Sequence, residues 1–301
     1  MMKQLIMLLI LTVSTSVFAV LPQEDAGSTL KLDWFWQNES GSQQVAQALF
    51  TRNQVKQGVQ DQQKINFTLN SPIRALHGYI GPRLMHVLDS INSVSPDHAT
   101  KFVSIEHAFS VKDASPESTL FWQAYYQYQD DAFNFLRVSP CLAQNELDGP
   151  CIRPNYSQIF YSYRQSFSGL AEQLRSHEGA SISIQNAQSW LLNIPDAEEH
   201  HDRFSPPLTV LLENVADSDE RALLLATLIS QIAPDYRMFL VYPANSNGSA
   251  SPAWLTIEAR SGANGTPVVI DNNEHTLLTG SPALLKEMMT TQTPMISEPL
   301  Y

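Results

Sequence analysis

The hydrophobic and polar positions of the chain change rhythm near residue 165. Upstream, residues 41–62 are rich in glutamine, and their apolar points at Val45, Ala46, Ala48, Leu49, Val55 and Val59 predict a helix. Ile73, Leu76, Ile80, Leu84, Val87, Leu88 and Ile91 recur near helical spacing and predict a second helix over 72–95, broken early by Pro72, Gly78 and Pro82. Phe102 to Val111 and the aromatic run within Leu120 to Arg137 predict strands, because aromatic side chains favour a pleated, half-buried surface. Residues 20–33 read as a polar leader.

Downstream the pattern is more regular. Phe167 to Arg175 and Ile184 to Leu192 predict helices, the second with Ala187, Trp190, Leu191 and Ile194 on one face. A polar loop, Pro195 to Arg203, leads through Pro206-Pro207 to the run Ala222 to Ile232, which is apolar all round and therefore belongs to a central helix. Strands are expected at 237–242, 253–259 and 267–271, then a short helix from Pro282 to Met289 and a polar C-terminal tail.

The first residues change the cellular picture. Lys3, the apolar stretch Leu5 to Val13 and the small-residue site Val17-Phe18-Ala19 have the form of a secretory signal over residues 1–19. This apolar stretch is short for a membrane span, so a soluble protein in a periplasm or outside the cell is expected after cleavage, with a retained N-terminal anchor as the alternative. In an exported chain the only two cysteines, Cys141 and Cys151, set among Pro140, Gly149, Pro150 and Pro154, predict a local disulfide. The division expected is a signal at 1–19, an N-terminal α+β region at 20–160, a second domain at 161–290 and a tail at 291–301. A net charge of −12 argues against a nucleic-acid or anionic-membrane partner.

The candidate chemistry lies at the start of the central helix. Asp217 or Ser218 can serve as its N-cap, and Asp219 and Glu220 put negative charge in the first turn, where the helix dipole favours it. A thiol there would have a lowered pKa and a ready oxyanion site, but the position holds Ser218. The order of segments is Pro206-Pro207-Leu208-Thr209-Val210-Leu211, then Asp217 to Leu225, Arg237 to Tyr242, Pro252-Ala253-Trp254 and Pro267-Val268-Val269-Ile270-Asp271.

In order and spacing, residues 165–285 resemble the transglutaminase-like superfamily of papain-type cysteine hydrolases and acyl transferases. The resemblance implies an α+β fold: a central helix packed on an antiparallel sheet, preceded by an N-terminal region that resembles no family. It also implies a catalytic Cys, His and Asp at positions that here hold Ser218, Pro252 and Asp271. Proline has no base, and a serine hydroxyl without a positioned base is a poor nucleophile. The function expected is therefore that of an exported pseudoenzyme without a cofactor or metal, binding an unidentified protein or peptide ligand.

The alternative is a hydrolase or acyl transferase with a relocated site, Ser218 with His275 and Asp271. Each residue also has a structural reading: Ser218 as a helix cap, Asp271 as a turn former, Trp254 as a sheet aromatic rather than the wall of an old cleft. Glu198-Glu199-His200-His201-Asp202 carries metal-capable groups, but without ligand spacing it reads as a solvated charged loop.

Overall fold

A computed structural model describes residues 29–37, 41–94, 101–111, 113–141, 151–200, 202–244, 252–259, 262–291 and 294–301. The signal expected at 1–19 lies outside them. The fold is mixed α+β.

The chain opens as a two-stranded antiparallel ribbon, β1 (Thr29–Gln37) on β2 (Gln43–Thr51). Leu32, Trp34 and Trp36 alternate inward and meet Ala46, Ala48 and Phe50 on the same face, while Val45 and Leu49 face solvent. The helix expected over 41–62 is therefore half wrong, and residues 29–33 belong to a strand rather than a leader. The apolar residues around 46–50 follow a period of two, and a paired ribbon satisfies it. Helix α1 (Arg52–Asn70) begins only where Thr51 and Gln54 form a reciprocal capping box.

Helix α2 (Pro72–Val94) runs unbroken through Pro82. An interior proline costs about 3 kcal/mol. Burial of Leu76, Ile80, Leu84, Leu88 and Ile91 offsets it, at roughly 1.5–3 kcal/mol for each side chain. The two strands expected next are helices, α3 (Ile105–Ser110) and α4 (Pro116–Leu136). Ser115 caps α4 ahead of Pro116, and Phe121, Ala132 and Leu136 turn inward at helical spacing. The aromatic residues pack edge to face between these helices, Phe109 lying 5.2 Å from Phe121 and 5.5 Å from Trp122. Tertiary packing here overrides strand propensity. Helices α2, α3 and α4 enclose a core of their own, built on Leu84, Phe102 and Phe121.

A short ribbon follows, β3 (Val138–Pro140) on β4 (Ile152–Pro154), closed by the Cys141–Cys151 disulfide with a Cα–Cα distance of 5.2 Å. The helices α5 (Tyr156–Tyr163), α6 (Ser168–Leu174), α7 (Ala180–Leu191), α8 (Pro207–Glu213) and α9 (Ser218–Ile232) then surround the main core. The helices expected at 167–175 and 184–192 are α6 and α7. Helix α9 is buried on nearly every side, as its all-round apolar sequence requires.

The five-stranded sheet contains β5 (Met238–Pro243), β6 (Trp254–Glu258), β7 (Thr266–Ile270), β8 (Asn273–Leu277) and β9 (Met295–Pro299), in the order β7-β8-β6-β5-β9 and antiparallel throughout. Between β8 and β9 lies α10 (Pro282–Thr290). The expected C-terminal tail is thus corrected: residues 295–299 form an edge strand on β5. Met238, Leu240, Leu255 and Ile257 face the main core that contains α9. Val241, Trp254, Ile270 and Leu277 face the other way and pack with Leu285 of α10.

The main core crosses residue 160. Trp34 of β1 meets Trp190 of α7 edge to face at 5.5 Å, and both lie in the cluster that contains α9 and the inner face of the sheet. Among the described residues no helix is long and apolar enough to cross a membrane.

Candidate functional site

Helix α9 carries its acids into the protein. Asp217 is the N-cap; its Oδ1 accepts from the Glu220 amide at 3.2 Å, and Glu220 Oε2 accepts in return from the Asp217 amide at 3.1 Å. Glu220 also accepts from the Ser205 amide at the entry to α8. Asp219 accepts from the hydroxyl of Tyr156, the first residue of α5, at 2.6 Å. Because α9 is central, the acids of its first turn are largely shielded from water. Its carboxyls must find donors inside the fold.

A fourth acid comes from the preceding loop. Glu199 Oε1 accepts from the Ser218 amide at 2.9 Å and from the Ser218 hydroxyl. The loop is pinned on both sides. Ala216 and the segment 195–197 exchange backbone hydrogen bonds, and Arg221 reaches from α9 to the carbonyl oxygens of Leu191 and Ile194 and to Asp196 at 2.8 Å. The solvated loop expected at 198–202 is corrected at this residue. Glu198 and His200 are exposed, but Glu199 turns inward; His201 lies outside the described residues.

Burial dominates the electrostatics. It lifts Asp217 from the ordinary aspartate value to about 7, with repulsion from Glu220 and Glu199 adding and a hydrogen bond with Asp219 opposing. Glu220 is pushed up to about 8 by burial and then by the charge of Asp219. Asp219 rises well above its ordinary range for the same first reason, with Asp217 next, and Glu199 rises as well. Asp217, Asp219 and Glu220 therefore share protons at neutral pH, and the Tyr156 hydroxyl beside them is held in its neutral form by burial and by Asp219. Glu199, Asp217 and Asp219 bring one ligand atom each within 4.8 Å of one another, a spacing that could hold a cation. Such a cation would have to displace protons the cluster already holds.

The positions named from the sequence are only partly assembled. Ser218 and Pro252 do come together: the amide of Ala253, next in the chain after Pro252, donates to Ser218 Oγ at 3.2 Å. Asp271 does not join them. It is an exposed residue with φ of 48°, followed by Asn272 at 63°, and these two left-handed residues make the turn from β7 to β8. Strand β8 lies between β7 and β6, so the end of β7 is one strand further from α9 than the expected arrangement requires.

His275 is on the wrong face. It pairs in register with Glu258 and meets Thr256 and Phe239 on the outer side of the sheet, opposite the face that packs with α9. The structure brings His275 and Asp271 to one cavity and leaves Ser218 on the other side of the strands. Trp254 is fully buried on the outer face, against the backbone of Gly280, and lines no cleft with Ser218.

The sequence reading missed Ser205 and Tyr156, left Glu199 in a solvated loop, and gave Asp219 and Glu220 only the helix dipole as a partner. One signal was available: a helix apolar on all sides has nowhere to expose its first turn. No family model, curated protein or solved structure matches this chain.

The chemistry of the helix start follows from its occupancy. The Ser218 amide is taken by Glu199 and the Glu220 amide by Asp217, so two of the donors at the helix start already bind carboxylates. Among the described residues no imidazole bonds Ser218 Oγ; its partners there are Glu199 and the Ala253 amide. Glu199 could accept a proton from that hydroxyl, but the same carboxylate also holds the Ser218 amide, one of the donors an oxyanion would need.

Proposed function

We propose that this chain is an exported, transglutaminase-like protein that has lost acyl-transfer chemistry and binds a protein or peptide ligand. The observation that carries the proposal is the environment of Ser218. Its hydroxyl and amide are both engaged by Glu199, and proline occupies the position where the resemblance would place the base. A hydrolase needs the opposite arrangement, a nucleophile facing a base and open donors facing the developing oxyanion.

Two further observations support the reading. Helix α9 packs against an antiparallel sheet, as the resemblance implies, and Ser218 lies beside the segment holding Pro252. The Cys141–Cys151 disulfide is compatible with an oxidising compartment outside the cytoplasm. The ligand class rests on the resemblance alone, since fold does not dictate function.

The test is hydrolysis. Purified protein lacking residues 1–19 is incubated with a panel of peptide and acyl-amide substrates, alongside Ser218→Ala. The proposal expects no turnover above buffer for either protein. Turnover that Ser218→Ala abolishes would overturn it.

A further inference from the structure

The outer face of the sheet is only partly covered. Helix α10 packs through Leu285 on Val241, Trp254 and Leu277. Beyond it, Phe239, Glu258, His275 and Ser297 line a cavity of about 740 Å³, rimmed by Arg237 and the Asp271–Asn273 turn. Register places the four lining residues on one face: Glu258 opposite His275, Phe239 opposite Thr256, and Val241 opposite both Trp254 and Ser297. The volume lies within the range of small-molecule sites, roughly 300–1,000 Å³.

His275 is held in one orientation. Phe239 stands edge-on to its ring at 5.0 Å. The Thr256 hydroxyl donates to the Phe239 carbonyl at 3.5 Å and lies 3.2 Å from His275 Nδ1. In the tautomer where that hydrogen is directed to the carbonyl, the hydroxyl accepts from Nδ1–H and Nε2 is an acceptor; this is the tautomer an N–H donor in the cavity would select. Burial favours the neutral ring, against the pull of Glu258 and Asp271. No described protein group bonds Nε2.

The lining is rich in acceptors and poor in donors. Among the described residues it holds the carboxylates of Glu258, Asp271 and Glu274 and one cation, Arg237, which is paired with Glu258 at 3.4 Å. An anionic ligand would meet net repulsion, while a cation able to donate several hydrogen bonds would satisfy these groups together.

We propose that this cavity binds an organic primary ammonium, whose N–H groups donate to His275 Nε2 and to the Asp271 and Glu258 carboxylates while its alkyl chain lies along Phe239. The site is on the opposite face of the sheet from Ser218 and does not depend on the fate of the helix start.

The test uses n-butylammonium as probe and 1-butanol as its uncharged counterpart, at an ionic strength of about 0.15 M to screen non-specific attraction to an acidic protein. The readout is the ¹⁵Nε2 resonance of His275, with calorimetry alongside. The expected result is saturable binding with Kd on the order of 1 mM, weakened about tenfold in Asp271→Asn and by at least as much for the alcohol. Asparagine suits the left-handed turn, so that variant should fold. If Nε2 does not respond to the amine, if the alcohol binds equally well, or if Asp271→Asn leaves affinity unchanged, the proposal is overturned.

Discussion

The shared protons at the start of α9 make a direct prediction about stability. Asp217 is lifted from 3.8 to about 7, chiefly by burial. A group whose folded pKa is raised stabilises the fold below its unfolded value, and that contribution is lost as pH rises through the folded value. The window runs from about pH 4 to pH 7 for Asp217, and on to about 8 for Glu220. At about 1.4 kcal/mol for each unit, ionising Asp217 inside the fold costs up to about 4 kcal/mol. Asp217, Asp219 and Glu220 share protons, so removing one releases only part of this, about 2 kcal/mol.

The perturbation is Asp217→Asn, which keeps a strong N-cap while removing the titration. Unfolding would be followed by urea titration at pH 5 and pH 8.5. Wild type should lose stability between the two, and the variant should lose about 2 kcal/mol less. The comparison is between proteins, because a net charge of −12 adds general repulsion to both. Identical pH profiles, or a wild type that gains stability toward pH 8.5, would refute the assignment of shared protons to this cluster.

Other elements can be tested in the same way. Arg221→Met removes the ties to Leu191, Ile194 and Asp196; it should cost about 2–3 kcal/mol and raise hydrogen exchange over 192–200. Gly280→Ala should destabilise by about 2–3 kcal/mol and shift the tryptophan fluorescence. Gly280 has φ of 74°, and an added Cβ would lie 2.6 Å from Trp254 Cδ1. Cys141→Ser with Cys151→Ser should lower stability by about 2–3 kcal/mol in a denaturant titration, an effect that reducing agent reproduces in wild type and does not add to the double variant.

The legible and illegible parts of the chain differ for physical reasons. Helices α6, α7 and α9 and strands β5, β6 and β7 could be read because each carries a whole pattern within itself. Strand β9 could not, since Met295 to Pro299 is a strand only by pairing with β5. The aromatic segment of α4 misled because propensity favours strands, while Ser115-Pro116 and the inward Phe121, Ala132 and Leu136 specify a helix. At the site, the proximity of Ser218 to the Pro252 segment was foreseeable from the order of elements. Glu199 was not, because its inward turn depends on Arg221 and on the pairing of Asp196 with Ala216. The β7–β8 hairpin also displaced Asp271, since an Asp-Asn turn inserts one strand between β7 and β6.

The central claim is that Ser218 is not a nucleophile. Its most direct test is treatment of the folded, disulfide-bonded protein with a fluorophosphonate, followed by intact-mass measurement and peptide mapping. Engagement by Glu199, with no imidazole at Oγ among the described residues, predicts no adduct at Ser218 beyond that of the urea-unfolded chain. Stoichiometric labelling of Ser218 in the folded protein, lost on unfolding, would contradict the account.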